Sequence, residues 1–210
     1  MDVLSALPLL AGGAWTSGIR LYLTIAAMGF AGKMGWITLP GDLQVISNPL
    51  VFTLAGLVYG VEFFADKIKF VDSIWDSVQT FIRPVGGAAL GYLATSGLGP
   101  VAQIPVAMLT GGVSLTSALT KAGARVAINT SPEPVSNVVT STAEDGLSVF
   151  VLYMIVKHPV IATIIIAVLI ALTIWLLIKL FRFVKKVFGW LWRPRQQKSP
   201  AETQQEKEKQ

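Results

Sequence analysis

Residues 159–178 read PVIATIIIAVLIALTIWLLI, an apolar stretch of twenty residues without a charged side chain. An α-helix rises about 1.5 Å per residue, so a helix of this length spans roughly 30 Å, which is the thickness of the hydrocarbon core of a bilayer. The stretch therefore predicts a transmembrane helix, and we interpret the rest of the chain as part of a membrane protein.

The composition of the whole chain agrees with this interpretation. Of its 210 residues, 53% are hydrophobic and only 14% are charged, whereas a soluble domain carries roughly 25% charged residues. The chain contains no cysteine and one histidine, which excludes a disulfide scaffold and argues against zinc and haem sites. We expect no cofactor.

Five further stretches complete the prediction of an all-α polytopic helical bundle with about six transmembrane segments. They cover residues 3–32, 48–64, 74–95, 100–119 and 135–156. The first contains Arg20 and several glycines, so it is predicted either as one tilted helix or as a short half-helix followed by a full one. Lys67 and Lys121 lie 54 residues apart in blocks of similar pattern, which is consistent with an internal repeat.

Two proline-containing stretches, RPVGG at 83–87 and NTSPEP at 129–134, predict helix breaks. Proline removes a helix hydrogen bond, and glycine lets the backbone bend. In the second stretch a polar side chain can cap the following helix, whose N-terminus favours Glu133 or a bound anion. Both stretches also fit ordinary turns.

The basic character of the chain belongs to its C-terminal end. Residues 179–210 hold nine Lys or Arg and three Glu, whereas residues 1–178 hold eight basic and nine acidic side chains. No nucleic-acid partner is therefore expected. We divide the chain into a membrane domain (1–181), a basic aromatic interfacial segment (182–198) and a disordered polar tail (199–210). The interfacial segment is predicted to contact anionic lipid headgroups, although an ordinary stop-transfer flank explains most of the same signal.

The loops carry a bias of basic residues that predicts the orientation. With six segments, the loops on the side of the C-terminus hold Lys67, Lys69, Lys121 and Arg125. The opposite loops hold Lys33 and Lys157. The positive-inside rule then places both termini of this multi-pass protein in the cytoplasm. No basic residue precedes Arg20, so a cleavable signal peptide is not predicted.

The charged and polar side chains within or beside the apolar stretches form the candidate site, because an ionised group in hydrocarbon costs several kcal/mol unless it is paired. The candidates for binding a substrate or ion are Arg20, Glu62, Asp66, Lys67, Asp72, Asp76, Arg83, Lys121, Arg125, Asn129, Glu133, Asn137, Glu144 and Asp145. Acids four residues apart share a helix face and repel each other. A bound cation, a shared proton or nearby basic side chains must compensate them.

Three functions fit these residues. The first is a transporter or channel-like protein for a small ion, an anionic solute or a lipid headgroup, in which Arg20 and Arg83 hold an anionic group and the carboxylates bind a cation or proton. The second is a structural or assembly protein whose ion pairs only fix helix packing. The third is a membrane-embedded lipid-phosphate enzyme with an acid-only Mg²⁺ site. Since the H-E-x-x-H, G-x-S-x-G and Walker A patterns are absent, we do not expect an enzyme.

Several short motifs together resemble a known family. They are WTSGIRLY at 15–22, EFFADK at 62–67, VDSIWD at 71–76, TFIRP at 80–84, KAG at 121–123 with Arg125, NTSPEP at 129–134 with Ser136 and Asn137, and ED at 144–145. This set is similar to the bacterial membrane protein family called domain of unknown function 4126, over about residues 3–185. The resemblance implies a small polytopic membrane protein, which we therefore expect in the bacterial inner membrane, and it adds no catalytic residue or cofactor.

Overall fold

A computed structural model describes residues 3–129 and 134–191, and all of its regular elements are helical. The six α-helices are α1 (Val3–Lys33), α2 (Pro49–Ala65), α3 (Lys69–Ala94), α4 (Pro100–Asn129), α5 (Pro134–Lys157) and α6 (Pro159–Leu191). Two short 3₁₀ helices, Gly41–Ser47 and Ser96–Leu98, lie in the connections. The predicted all-α class is confirmed, since the described residues form no strand.

The chain divides into two compact units, Met1–Leu177 and Ile178–Gln210. The second unit contains the end of α6, which stays helical to Leu191 and exposes Arg182, Lys185 and Lys186. The predicted interfacial segment is therefore helical over 182–191. The rest of that segment and the predicted disordered tail, 192–210, lie outside the described residues.

In the first unit, charged side chains are buried and large apolar side chains are exposed, which is the opposite of the distribution in a soluble protein. Arg20 and Arg83 are among its most deeply buried side chains, while Val101 is 90% exposed and Phe81 79%. Charged residues are almost never fully buried in soluble domains unless they are paired. A polar interior beneath an apolar outer surface is expected where the surroundings are lipid.

Three helical stretches are long and apolar enough to cross a membrane: Pro100–Val126, Val135–Lys157 and Pro159–Phe183. A fourth is added if the 3₁₀ helix Gly41–Ser47 and α2, which meet at 67°, form one bent span. These apolar helices suggest a membrane-spanning protein. By length and composition, the described residues do not confirm the predicted number of about six spans.

Helix α1 is broken at Arg20, which has non-helical backbone angles of φ −143° and ψ 76°. The segment therefore consists of two helical pieces, but the longer piece, 3–19, comes first, whereas the second predicted alternative had a short half-helix followed by a full one. A break leaves carbonyl groups without their helical partners, and side chains of α4 donate to two carbonyls beside it. Ser117 Oγ donates to the Trp15 carbonyl at 3.0 Å, and Lys121 Nζ donates to the Ile19 carbonyl at 3.4 Å.

The break predicted at 83–87 was wrong, because α3 continues through Pro84 to Ala94. Gly86 and Gly87 instead allow neighbouring helices to pack closely against α3. A Cβ atom on Gly87 would lie 2.4 Å from Ser114 Cβ. Ser114 Oγ also donates to the Arg83 carbonyl at 2.8 Å, which joins α4 to the backbone of α3 at this position. At the second predicted break, α4 ends at Asn129 and α5 begins at Pro134, and residues 130–133 between them lie outside the described part.

Candidate functional site

Ten charged side chains from five helices meet inside the first unit, and we call them the charge cluster. Its members are Arg20 from α1, Glu62 and Asp66 from α2 and its C-cap, Asp72, Asp76 and Arg83 from α3, Lys121 and Arg125 from α4, and Glu144 and Asp145 from α5. None of these side chains is more than 14% exposed. The sequence pattern placed each of them inside a helix or at its end, but the structure alone shows that they meet.

Arg20 joins α1 to α2 and α5. Its Nε donates to Asp145 Oδ1 at 2.6 Å. Its Nη1 donates to Asp66 Oδ2 and lies 3.3 Å from Glu62 Oε1, and its Nη2 lies 3.3 Å from Glu144 Oε2. Because Arg20 is also the point at which α1 breaks, the broken backbone and the centre of the charge cluster coincide.

Arg83 and Lys121 extend the charge cluster across α3 and α4. Arg83 Nη2 donates to Glu62 Oε1 at 2.8 Å and to Asp76 Oδ1 at 2.9 Å. Lys121 Nζ lies 3.0 Å from the same Asp76 oxygen and 3.4 Å from Glu144 Oε2. Glu62 Oε1 thus lies between two arginines, and Asp76 Oδ1 lies between an arginine and a lysine.

Arg125 binds Glu144 with two hydrogen bonds, Nε to Oε1 at 3.2 Å and Nη2 to Oε2 at 2.9 Å. Its Nη1 donates to Asp72 Oδ2 at 3.2 Å and to Asn137 Oδ1 at 2.5 Å. Asn137 Nδ2 in turn donates to the Asp66 carbonyl at 2.9 Å. The planar guanidinium suits such a forked arrangement, which lysine would not reproduce.

The charge cluster contains more carboxylates than basic groups. Six carboxylates face four cationic side chains, a formal charge of −2 in a largely buried volume. Five carboxylate oxygens accept no hydrogen bond from the described residues: Glu62 Oε2, Asp66 Oδ1, Asp72 Oδ1, Asp76 Oδ2 and Asp145 Oδ2. A buried acceptor without a donor costs about 1–3 kcal/mol, and more when it is charged. Chemically, the arrangement is suited to binding a cation or protons.

A cavity of about 340 Å³ adjoins the charge cluster between α3 and α4. Three members of the charge cluster, Asp72, Asp76 and Arg125, line it. The other lining residues are Ser77, Thr80, Phe81, Ala122 and Val126. The acidic end of the charge cluster therefore borders a space large enough for several water molecules, each of which occupies about 30 Å³.

Some predicted site residues do not join the charge cluster. Lys67 Nζ donates to the Phe63 carbonyl at 3.1 Å and lies 3.1 Å from the centre of the Phe63 ring, and no ion pair of Lys67 is found among the described residues. Asn129 ends α4, but its side chain is not part of the description, and Glu133 lies outside the described residues. Asn137 joins through Arg125, as an amide among charged groups.

Sequence reasoning missed three polar residues that support the site. Thr24 Oγ1 donates to the Arg20 carbonyl at 2.8 Å, and the Ser141 carbonyl accepts from Arg20 Nη2 at 3.3 Å. Gln79 is buried and donates to Tyr22 Oη at 3.3 Å. Helical spacing is a signal that would have found Gln79, since it lies three residues after Asp76 and therefore on the same face of α3.

A comparison with family models matches residues 7–179 to the family described as Domain of unknown function (DUF4126). The match covers most of the chain and every member of the charge cluster, and the chain belongs to this family. Comparisons with curated proteins and with solved structures each find no significant match.

Proposed function

We propose that this member of the DUF4126 family is a multi-pass membrane transport protein for a small cation, and that the charge cluster is its ion-binding site. One observation carries the proposal: a buried set of charges with two carboxylates in excess borders a cavity between α3 and α4. Ionisable groups at membrane depth are costly, and they commonly mark ion or proton pathways.

The outward faces of α2 and α3 support a proposal of six membrane segments. On α3, four large apolar side chains at helical spacing are exposed: Ile74, Val78, Phe81 and Val85. Asp72, Asp76 and Arg83 of the same helix are buried. On α2, Leu50, Leu54 and Leu57 are exposed. A helix that presents such an apolar face to its surroundings suits lipid even when its inward charges lower its average hydropathy.

The arrangement favours a cation or protons over an anionic solute or lipid headgroup. Each of the four cationic side chains already lies within 4.0 Å of at least two carboxylates. An anion would have to compete with these carboxylates, whereas a cation relieves their mutual repulsion.

Flux through reconstituted liposomes tests the proposal. We expect uptake of H⁺, Na⁺, K⁺ or Mn²⁺, followed with ion-sensitive dyes, to require the protein and to fall at least tenfold in Asp76→Asn. The control is Asp42→Asn, because Asp42 is an exposed acid in the 3₁₀ helix Gly41–Ser47. Wild-type protein that carries none of these ions, or a folded Asp76→Asn variant with the wild-type flux, would contradict the proposal.

A structural or assembly role is the second candidate. The observation that favours it is the doubly hydrogen-bonded Arg125–Glu144 pair, which joins α4 to α5. Under this hypothesis the wild type conducts nothing, and charge-neutralised variants unfold in detergent. If the role also depends on the interfacial segment, deletion of 182–210 removes the cellular phenotype.

A lipid-phosphate enzyme is the third candidate, because Asp66, Asp72 and Asp76 offer oxygens within 4.8 Å of one another, as a metal site requires. Release of phosphate from phosphatidic acid in mixed micelles with Mg²⁺ is the measurement that separates this hypothesis from transport. We propose a non-enzymatic protein and expect no release above the background of a charge-neutralised variant.

For location, we propose a bacterial inner membrane with both termini in the cytoplasm. The basic side chains of Arg182, Lys185 and Lys186 are exposed at the end of α6 and would contact anionic headgroups there. Binding of the protein to vesicles with and without anionic lipid, compared with an Arg182→Gln, Lys185→Gln, Lys186→Gln triple variant, tests this contact.

A further inference from the structure

We propose that Asp66, Asp72 and Asp76 bind one divalent cation of the hard, oxygen-preferring class, such as Mg²⁺, Mn²⁺ or Ca²⁺. The proposal rests on the proposed cation site and names the class of ion. One oxygen from each carboxylate lies within 4.8 Å of the other two. Oxygen ligands lie about 2.1 Å from Mg²⁺ and about 2.4 Å from Ca²⁺, so two ligands on opposite sides of one ion are separated by roughly 4–5 Å. The distances between the three carboxylates therefore match those between ligands of one ion.

Each of the three carboxylates accepts a hydrogen bond through one oxygen, and a nitrogen of Arg125 lies within 4.0 Å of an oxygen of all three. Asp66 Oδ2 accepts from Arg20, and Asp72 Oδ2 accepts from Arg125. Asp76 Oδ1 accepts from Arg83. The second oxygens, Asp66 Oδ1, Asp72 Oδ1 and Asp76 Oδ2, accept no hydrogen bond from the described residues, and of these Asp72 Oδ1 lies 3.2 Å and Asp76 Oδ2 4.0 Å from a nitrogen of Arg125.

These oxygens, which accept no hydrogen bond, are also buried. The side chains of Asp66 and Asp72 are each 1% exposed, and that of Asp76 is 8% exposed. A buried ionised oxygen without a partner is costly. Hydrogen bonds from basic residues to acidic ligands are found around metal sites, where outer partners fix the ligands in place.

Two further buried oxygens near the three acids also lack a donor. Glu62 Oε2 belongs to the residue one helical turn before Asp66, and Gln79 Oε1 to the residue one turn after Asp76. Both residues are at most 2% exposed. Oxygen atoms without a hydrogen-bond donor are therefore found on residues other than the three acids as well. Oxygen is the ligand type that Mg²⁺ and Ca²⁺ prefer.

The charge balance favours a divalent ion. The charge cluster carries a formal charge of −2, which one divalent cation neutralises and one monovalent cation does not. Asp72 and Asp76 also line the cavity of about 340 Å³. A space of that size accommodates water molecules beside the ion, and Mg²⁺ usually keeps several of its waters.

Titration with Mn²⁺ tests the site directly. The purified 210-residue chain in nanodiscs is freed of metal with a chelator, and free Mn²⁺ is then followed by electron paramagnetic resonance. We expect one Mn²⁺ bound per chain, competition by Mg²⁺ or Ca²⁺, and a rise in the thermal unfolding midpoint that saturates with the metal. Asp72→Asn and Asp76→Asn should each weaken binding about 10–100-fold, whereas Asp42→Asn should bind as the wild type does.

The wild-type titration decides the question even if a variant fails to fold. Absence of saturable binding of Mn²⁺, Mg²⁺ and Ca²⁺ overturns the site. So does a wild type that is stabilised only by lower pH, since protons would then neutralise the carboxylates, and so do folded Asn variants with wild-type affinity. Binding without flux would contradict transport and keep the metal site. Flux of protons or monovalent ions without divalent binding would contradict the metal site and keep transport.

Discussion

Arg83 and Asp145 are both largely buried members of the charge cluster, but loss of their charges shifts its balance in opposite directions. Arg83 is 1% exposed and lies between Glu62 and Asp76, so its loss raises the excess of carboxylates. Asp145 accepts from Arg20 through one oxygen, and neutralising it lowers the excess. The sign of a buried charge therefore affects its contribution to stability.

We expect Arg83→Gln to destabilise the protein by about 3–5 kcal/mol, since it removes one of the two cations that flank Glu62 Oε1 and Asp76 Oδ1. Asp145→Asn should cost less, about 1–3 kcal/mol for the altered hydrogen bond to Arg20. Thermal unfolding in one detergent, followed by tryptophan fluorescence, compares the two variants. Equal losses, or a larger loss for Asp145→Asn, would contradict an excess of negative charge in the charge cluster.

At the scale of helices, contact between α1 and α4 depends on Gly18. A Cβ atom at this position would lie 2.2 Å from the Ser114 carbonyl oxygen, which is backbone that cannot rotate away. The same contact region brings Ser117 and Lys121 to the carbonyls beside the break in α1. Close approach of two backbones through a small residue is typical of membrane helix packing, and here it also supports the broken segment that carries Arg20.

Gly18→Ala should therefore destabilise the protein by about 1–3 kcal/mol through overpacking. Gly112→Ala on α4 is the matched control, because a Cβ atom at Gly112 meets nothing within 4 Å. That change should be neutral, or stabilising by up to about 1 kcal/mol through better helix propensity. Thermal unfolding of both variants is the measurement, and a tolerated Gly18→Ala would show that α1 and α4 are less tightly packed than described.

At the scale of the whole molecule, the number of membrane segments depends on α1, α2 and α3. Helices α4, α5 and α6 contain the three clearly apolar spans. Helix α3 carries its charges on the inside and exposes Phe81 and Val85, so composition alone does not identify it as a span. If α3 crosses the membrane, the connections before and after it lie on opposite sides.

The chain has no cysteine, so single cysteines can be introduced and labelled with a maleimide that does not cross membranes. We expect Met34→Cys, Gly97→Cys and His158→Cys to be labelled from one side of the membrane. Ile68→Cys should be labelled only from the other side, which the positive-inside rule makes cytoplasmic. Labelling of positions 68 and 97 from the same side would show that α3 does not span and that the chain has fewer than six segments.

Local features of the chain were predictable from the sequence. The apolar length of α6 predicted a helix that matches a bilayer, and helical spacing placed Glu62 and Asp66 on one face. The family motifs contained all members of the charge cluster. These features depend on residues within one or two helical turns, which is the range over which sequence periodicity operates.

Only the tertiary structure decided which charges meet and where the chain breaks. Arg20 Nε donates to Asp145, which lies 125 residues away in the sequence. Lys67 directly follows Asp66 in the sequence, but its Nζ lies over the Phe63 ring instead. Local proline and glycine signals favoured a break after Arg83, but the chain breaks at Arg20, where α4 supplies donors for carbonyls beside the break. Ion pairing between distant helices depends on packing, because a buried charged group pairs with the opposite charges that the packed helices place next to it.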